Sequence, residues 1–283
     1  MRRLWNDRRG AAGLVVVGLA AFVALAAPYI TSGAPTADVL TAQLLAPGTV
    51  DRRGAFHLLG TDALGRDVWT RLAYGARVSV TVSVLATLLS LIVGVLVGAT
   101  AARARGWMRA TLVGLTDFAL AVPRVVLLLL LAALWEPSAG LVVLVLGATG
   151  WMPVARLVYA EVRSLGQRPF VEGAVALGAT PERVLWRHIL ANAWTPVIVA
   201  AALGLGNTML LEAGLSFLGL GVQPPAPSWG NMIASGRDAI DAPWIVMAPG
   251  AALVLVATGC ALLGDALRDA LEPRQRHARV GSS

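Results

Sequence analysis

Apolar residues are distributed along the chain as they are in a membrane protein. Five uncharged runs are of the order of 20 residues long, a length that crosses a bilayer core about 30 Å thick when it is helical. These runs are Gly10–Ala37, Val78–Ala102, Pro137–Ala155, Ile189–Leu211 and Ala242–Gly264. A sixth run, Ala110–Trp135, is uncharged apart from Asp117 and Arg124. The pattern therefore predicts an all-α membrane protein with six transmembrane helices.

The charged residues between the runs indicate which side of the membrane each connection occupies. All 23 basic residues are arginine. With a cytoplasmic N-terminus, sixteen of these arginines fall in cytoplasmic segments and six in outer segments, most of the six in one long outer loop. Because short cytoplasmic segments of membrane proteins are enriched in basic residues, we expect both termini to be cytoplasmic.

The apolar runs and the charged segments between them divide the chain into four parts. They are a cytoplasmic N-terminus with the first span (1–30), an outer loop (31–77), a five-helix core with a cytoplasmic loop at 156–188 (78–264), and a cytoplasmic tail (265–283). In the outer loop, the stretch GRDVWTRLAYGA places Trp69, Leu72, Ala73 and Ala76 on one helical face. This spacing predicts an amphipathic helix on the outer membrane surface.

Two further stretches bear on the course of the chain. The N-terminal 28 residues have the pattern of a secretory signal peptide, with a basic start, an apolar centre and an Ala-x-Ala-like end. The uncharged run continues past Pro28, however, and the later spans need insertion in any case, so we expect an uncleaved first span. Gly214–Trp229 is rich in Gly and Pro, which predicts non-helical backbone near the outer end of the core, covered by protein or water.

Composition excludes several kinds of chemistry. Hydrophobic residues make up 57% of the chain and charged residues 14%, against about a quarter charged in soluble proteins. Because the chain contains no lysine, it has neither a Schiff-base lysine nor a phosphate-binding loop that ends in Lys-Ser/Thr. The arginines are dispersed between spans, which argues against a nucleic-acid partner. Cys260 is the only cysteine, and His57, His188 and His277 lack metal-ligand spacing, so we expect no internal disulfide and no metal site.

The cytoplasmic loop contains the signals of a short helix. Pro169 fits the first turn, where its missing N–H is not needed. Phe170, Ala174 and Leu177 recur at i, i+4 and i+7, which places them on one helical face. Gly178 follows and is suited to the left-handed conformation that ends many helices. The loop therefore begins with a short amphipathic helix and a glycine turn.

A second helix follows the turn directly. Thr180 is a suitable N-cap, Pro181 a suitable first helical residue, and Glu182 complements the positive end of the helix dipole. The pattern then continues through RVLWRHIL into the fifth span. Such a segment fits a solvated hairpin, an interfacial helix on the lipid surface, or a docking element for a partner protein.

The loop resembles a known motif. Its pattern of Glu172, Gly173, Ala174 and then Gly178 is similar to the "EAA" cytoplasmic loop of ATP-binding-cassette importer permeases. Gly173 stands where that family commonly has a second alanine. The neighbouring RHILANA is similar to the family's RHILPNA, with Ala191 in place of proline.

Three other stretches resemble one branch of that family, the C-type permease subunits of the dipeptide/oligopeptide/nickel group. They are Leu59–Val80, Glu212–Ile233 and Leu262–Arg274. The resemblance implies the core of a type I ABC importer permease and a coupling helix that docks on an ATPase. The coupling residues would be Phe170, Glu172, Gly173, Ala174, Leu177 and Gly178.

The resemblance also implies the partners and the setting. They are a homologous B-type permease, two cytoplasmic ATP-binding subunits, an extracytoplasmic substrate-binding protein and the lipid bilayer of a bacterial or archaeal plasma membrane. ATP and Mg²⁺ would be bound by the ATPase subunits, and this chain would bind no cofactor and catalyse no reaction. The expected cargo is a dipeptide or oligopeptide, with nickel complexes and glutathione-like solutes as alternatives.

Charged residues inside the spans are candidates for the translocation path, because such residues usually face protein or water. Asp117 and Arg124 are seven residues apart in the third span and so share a helical face. Glu212, which directly follows the apolar run Ile189–Leu211, is the third candidate. The alternative is structural, with Asp117 near the cytoplasmic end and Arg124 paired to another helix. Pro123 is expected to bend this span.

Two other function classes fit the sequence less well. An ion-coupled secondary transporter would need several acids within its spans and an inverted repeat, whereas only Asp117 qualifies and no repeat is visible. An intramembrane enzyme would need a catalytic set such as Ser with His or paired Asp inside the spans, and none is present there.

Overall fold

The protein is described here by a computed structural model, which covers residues 7–31, 33–180 and 183–271. The features predicted for Pro181, Glu182 and His277, and most of the predicted cytoplasmic tail, lie outside the described residues.

The described chain is mostly helical. In chain order these are α1 (Arg8–Ile30), α2 (Val68–Arg103), α3 (Gly106–Ala121), α4 (Arg124–Ala133), α5 (Ala139–Leu165), α6 (Pro169–Ala176), α7 (Leu190–Phe217), α8 (Trp229–Gly236) and α9 (Trp244–Leu271). A short antiparallel hairpin, β1 (Thr49–Val50) with β2 (Phe56–His57), lies between α1 and α2. Among the described residues, α1, α2, α5, α7 and α9 are each long and apolar enough to cross a membrane, and α3 with α4 form a sixth, bent segment. The prediction of six spans is confirmed when this pair is counted as one.

The outer loop is shorter than predicted, because α2 begins at Val68 rather than at Val78. The side chain of Asp67 caps this start by accepting a hydrogen bond from the backbone N–H of Thr70 at 2.7 Å. The prediction of a separate amphipathic helix on the membrane surface is therefore wrong. Its apolar face is buried within the protein, where Ala73 and Ala76 pack inside the helix bundle.

The third span is broken in the middle. The axes of α3 and α4 differ by 87° across Val122 and Pro123. Pro123 has no backbone N–H and cannot continue the hydrogen-bond ladder of α3. The predicted bend at Pro123 is confirmed, but Asp117 and Arg124 do not share a helical face, because they lie on different helices.

The other helices extend past the apolar runs that predicted them. α5 continues beyond Ala155 to Leu165, and α7 continues beyond Leu211 to Phe217. The predicted non-helical stretch Gly214–Trp229 is correspondingly shorter, and covers only residues 218–228. At the other extreme, α1 ends at Ile30, before the predicted Ala37.

The long helices α2 and α5 pack in close contact along the centre of the bundle. At Gly98 of α2, an added Cβ would lie 2.4 Å from the backbone oxygen of Ala155 on α5. Only glycine allows this approach, because the nearest atom belongs to the rigid backbone of the facing helix.

The segment between α7 and α9 folds back into the bundle and is held there by buried polar groups. The hydroxyl of Ser216 donates to Oε1 of Glu212 at 2.8 Å and accepts from the backbone N–H of Val222 at 3.1 Å. Oδ1 of Asn231 accepts from the backbone N–H of Ser228 at 2.9 Å, and its Nδ2 donates to two carbonyl oxygens of the loop at 3.1 and 2.8 Å. These contacts fix residues 218–228 and α8 against α7.

The loop before α2 is folded as well. Two backbone N–H groups, one of them from Ala55, donate to the carboxylate of Asp51 at 2.8 Å. The bond from Ala55 is the main cause that holds the pKa of Asp51 below its ordinary value. On β2, Nδ1 of His57 lies 2.9 Å from the carboxylate of Asp67, the cap of α2. The hairpin is thereby tied to the beginning of α2.

Substitution of Gly98 by alanine is expected to destabilise the bundle. The added methyl group would overlap the backbone of α5, and overpacking of this kind costs about 1–3 kcal/mol. Thermal unfolding of the purified chain in detergent measures the effect. The matched control is Gly114→Ala on α3, where nothing lies within 4 Å of the added Cβ and helix propensity favours alanine by up to about 1 kcal/mol. Equal melting temperatures for the two variants would contradict the close packing.

Substitution of Asn231 by alanine is expected to lower the free energy of unfolding by about 2 kcal/mol, because it leaves buried backbone groups without partners. The control is Gln223→Ala in the same loop. The Gln223 amide also donates to two carbonyl oxygens, at 2.9 and 3.1 Å, but its side chain is exposed. Since water can replace the exposed bonds, thermal unfolding should distinguish the variants, and a larger loss for Gln223→Ala would exclude a holding role for Asn231.

Candidate functional site

The predicted short helix is present at one end of the bundle. α6 begins at Pro169, and the backbone N–H of Val171 donates to the carbonyl of Arg168 at 2.9 Å. Gly178 ends it with a φ of 83°, and the backbone N–H of Ala179 donates back to Ala174 at 3.0 Å. The predicted glycine turn is confirmed.

The buried side of α6 is not the side with the predicted apolar spacing. Phe170 is 43% exposed and Leu177 is 91% exposed, so these two residues do not form the buried face. The helix is anchored instead by Val171, which is buried, with Ala174 packed beside it. Val171 and Ala174 are three residues apart and therefore lie on one side of the helix. The side with Phe170 and Leu177 is left open, and so are Glu172 and Gly173.

A hydrophobic cluster connects α6 to the long helices. Val171 belongs to this cluster together with Ala99 of α2, Val162 of α5 and Leu190 of α7. The chain returns to α7 through Thr180, whose hydroxyl accepts from the backbone N–H of Arg183 at 3.3 Å, as expected for an N-cap. One π-helical turn, Val184–Ile189, then leads into α7. Among the described residues, α6 contacts mainly this turn, and the turn contacts α7 and α5, so α6 is connected to the long helices through the turn and the cluster.

The three charged residues predicted on the translocation path occupy three separate places. Asp117 of α3 forms an ion pair with Arg156 of α5, with 3.0 Å between its Oδ1 and Nη1 of the arginine. Both side chains are largely exposed. The pair bridges two helices and does not involve Arg124.

Arg124 stands at the bend of the broken span, as the first residue of α4. Its Nη2 donates to the carbonyl oxygen of Leu146 on α5 at 3.4 Å, so Arg124 contacts another helix. The side chain also lines a cavity of about 380 Å³ between α2, α5 and α7. The polar residues around it are Thr87, Ser90, Asn207 and Thr208.

Glu212 lies away from this cavity. Its side chain is 0% exposed and forms part of the polar cluster that holds the loop before α8. The carboxylate of Glu212 is therefore not exposed to this cavity in the structure, and its place on the translocation path stays a prediction.

Sequence reasoning missed the polar wall opposite Arg124. Thr87 and Ser90 are three residues apart on α2, and Asn207 and Thr208 are adjacent on α7. Small polar residues of this kind are common in spans, where they bond to their own helix. These polar residues are visible in the sequence, where they interrupt two apolar runs. Their nearness to Arg124 is not, because it depends on the bend at Pro123.

Similar proteins identify the family. Residues 63–277 match the family described as "Binding-protein-dependent transport system inner membrane component". A putative peptide transport system permease protein of Brucella abortus is 37% identical over 277 residues, which cover 96% of this chain and 90% of the relative. The dipeptide transport system permease protein DppC of Alkalihalophilus pseudofirmus is 35% identical over 276 residues, covering 97% and 89%. DppC of Haemophilus influenzae is 33% identical, covering 95% and 92%.

The fold also matches a solved structure. An inward-facing structure of the MetNI methionine ABC transporter aligns with a TM-score of 0.60 and 17% identity, over 71% of this chain and 96% of that chain. The alignment shows the architecture of an ABC importer permease, with several apolar helices crossing the membrane. The chain belongs to the family of inner-membrane components of binding-protein-dependent transport systems.

Proposed function

We propose that this chain is the C-type permease subunit of an ATP-driven importer that carries dipeptides or oligopeptides into the cell by alternating access. The family and the fold support an importer permease. The peptide cargo is supported by relatives named as peptide and dipeptide permeases, which match along nearly the whole chain.

The observation that carries the proposal is the two-sided character of α6. One side is packed into the hydrophobic cluster through Val171, while Phe170 and Leu177 project outward from the other. A short helix that is fixed to the bundle and presents apolar side chains is suited to a groove on a partner. This chain has no phosphate-binding loop of its own, so the energy of ATP has to enter through such a contact.

The proposed coupling follows the packing. When ATP draws the two ATPase subunits together, α6 moves with the subunit on which it is docked. The cluster around Val171 passes this movement to α2, α5 and α7, which are also the helices around the Arg124 cavity. The cavity would thereby open alternately to the two sides of the membrane. Hydrolysis and release of the ATPase contact would return the inward-facing state.

The proposed assembly contains one B-type permease, two ATP-binding subunits and an extracytoplasmic binding protein. ATP and Mg²⁺ belong to the ATPase subunits, so this chain is not itself an enzyme. The α6 end faces the cytoplasm, together with both chain termini, in a bacterial or archaeal plasma membrane. The opposite end, with the β1–β2 hairpin and the loop before α8, faces the binding protein.

Reversal of the charge at Glu172 is expected to uncouple transport. Glu172 is exposed on α6. An arginine at this position would place a positive charge without an opposite partner against the ATPase. At a desolvated contact, such a charge costs about 2–5 kcal/mol of binding free energy. ATP-driven peptide uptake into proteoliposomes that have the binding protein outside and ATP inside should fall at least ten-fold, while membrane insertion stays normal. The control Asp269→Arg reverses an exposed carboxylate on α9 and should retain uptake. Unchanged uptake by Glu172→Arg would refute the docking of α6.

The turn after α6 provides a second test. At Gly178, φ is 83° and an added Cβ has open space around it, so Gly178→Ala introduces backbone strain of about 1–2 kcal/mol without a clash. We expect uptake to decrease several-fold because the angle between α6 and the next helix relaxes. Gly173→Ala, also without neighbours within 4 Å but inside the helix, should retain or increase uptake. If both alanine variants behave alike, the turn has no role in coupling.

A further inference from the structure

The cavity beside Arg124 has the features of a binding site. Its volume of about 380 Å³ falls in the range of roughly 300–1,000 Å³ that is typical of small-molecule sites. Most of its wall is apolar, and the polar groups converge from α2, α4 and α7. Sites that bind small organic molecules share this combination of an apolar wall and a few placed polar groups.

Arg124 brings a positive charge to this cavity without a neutralising partner in the described part of the chain. Among the residues described, no Asp or Glu side chain forms an ion pair with its guanidinium. Its contact is the single bond from Nη2 to the carbonyl of Leu146. Nε is buried and has no hydrogen-bond partner in the same residues. Since a guanidinium has five N–H donors, most of its capacity is available to an occupant of the cavity.

The facing helices are shaped to receive this side chain. At Gly150 of α5, an added Cβ would lie 2.2 Å from Oγ of Ser90 and 3.1 Å from Nη2 of Arg124. The glycine therefore makes room for both polar groups. The hydroxyl of Thr87, also in the wall of the cavity, is buried without a partner among the described residues. A second hydrogen-bonding group is thus free on the α2 side.

The break in the span adds to the preference for an anion. Arg124 is the first residue of α4, so the N-terminal, positive end of this half-helix lies beside the cavity. In transporters, the N-terminal ends of discontinuous helices commonly point at anionic groups of the substrate.

We propose that the Arg124 cavity is a carboxylate subsite, at which the permease binds the free C-terminal carboxylate of the peptide during its passage. This inference rests on the proposed function. Arg124 forms charge-assisted hydrogen bonds to the carboxylate, and the Thr87 hydroxyl donates to it from α2. The apolar part of the wall accommodates the rest of the peptide without selecting among side chains. The permease thus selects peptides that have a free carboxylate after the binding protein has released them.

The test compares a dipeptide with its neutral counterpart. The complete transporter is placed in lipid nanodiscs without the binding protein, and unlabelled dialanine or dialanine amide competes with radiolabelled dialanine. The wild type is expected to bind the acid about ten-fold or more tightly than the amide, as for hydrogen bonds between charged partners. Arg124→Gln should lose this preference, and Arg124→Lys should keep part of it, because the charge remains without the two-pronged geometry.

The control variant is Arg77→Gln, which removes an exposed arginine from α2 and should keep the full preference. Co-purification of all subunits and basal ATPase activity verify that each variant assembles. Equal affinities of the wild type for acid and amide, an undiminished preference in Arg124→Gln, or no saturable binding of dialanine would each overturn the subsite.

ATP-driven uptake of dialanine by proteoliposomes with the binding protein tests the proposed function separately. If the wild-type transporter takes up no peptide in the proteoliposomes, the proposed function fails. If it takes up peptide but binds dialanine and its amide equally well, only the subsite is rejected.

Discussion

The hydrocarbon core of a bilayer offers no water to polar groups, and this constraint governs the structure. Backbone groups are satisfied within helices, and the exceptions are few. Where the chain leaves helical geometry between α7 and α8, Asn231 and Ser216 supply the missing hydrogen-bond partners. Where it breaks between α3 and α4, the bend lies beside a polar cavity. Both of these departures from a plain helix lie beside polar groups of the protein.

The helices that connect α6 to the Arg124 cavity are also closely packed on each other. The close approach at Gly98 brings the backbones of α2 and α5 together. Val171 joins α6 to the same pair through a continuous apolar cluster. By contrast, α4 contacts mainly α5 within the described chain. The bundle therefore combines a stiff central unit with a peripheral half-helix at the site of the charge.

Much of the fold was predictable from the sequence, because a bilayer imposes a simple rule on span length. The short helix from Pro169 and the turn at Gly178 could also be predicted, since Pro and Gly act locally. The features that could not be predicted from the sequence depend on tertiary contacts. The face of α6 that is buried is set by Val171 and not by the helical spacing of Phe170 and Leu177, and the environment of Glu212 is set by a loop that folds back from beyond it. Arg124 was identified by its charge, but the cavity around it is formed by three helices distant in sequence.

The permanent charge of Arg124 has a consequence for ion leakage. Under the proposed function, the cavity beside Arg124 belongs to the route of the solute, and a water-filled route would admit protons and metal cations as well. A fixed guanidinium on its wall raises the electrostatic barrier to any cation that enters, as arginine does in selective pores. Unlike lysine or histidine, arginine keeps its charge at any physiological pH. The residue at the bend would thereby make the proposed solute route unfavourable to cations.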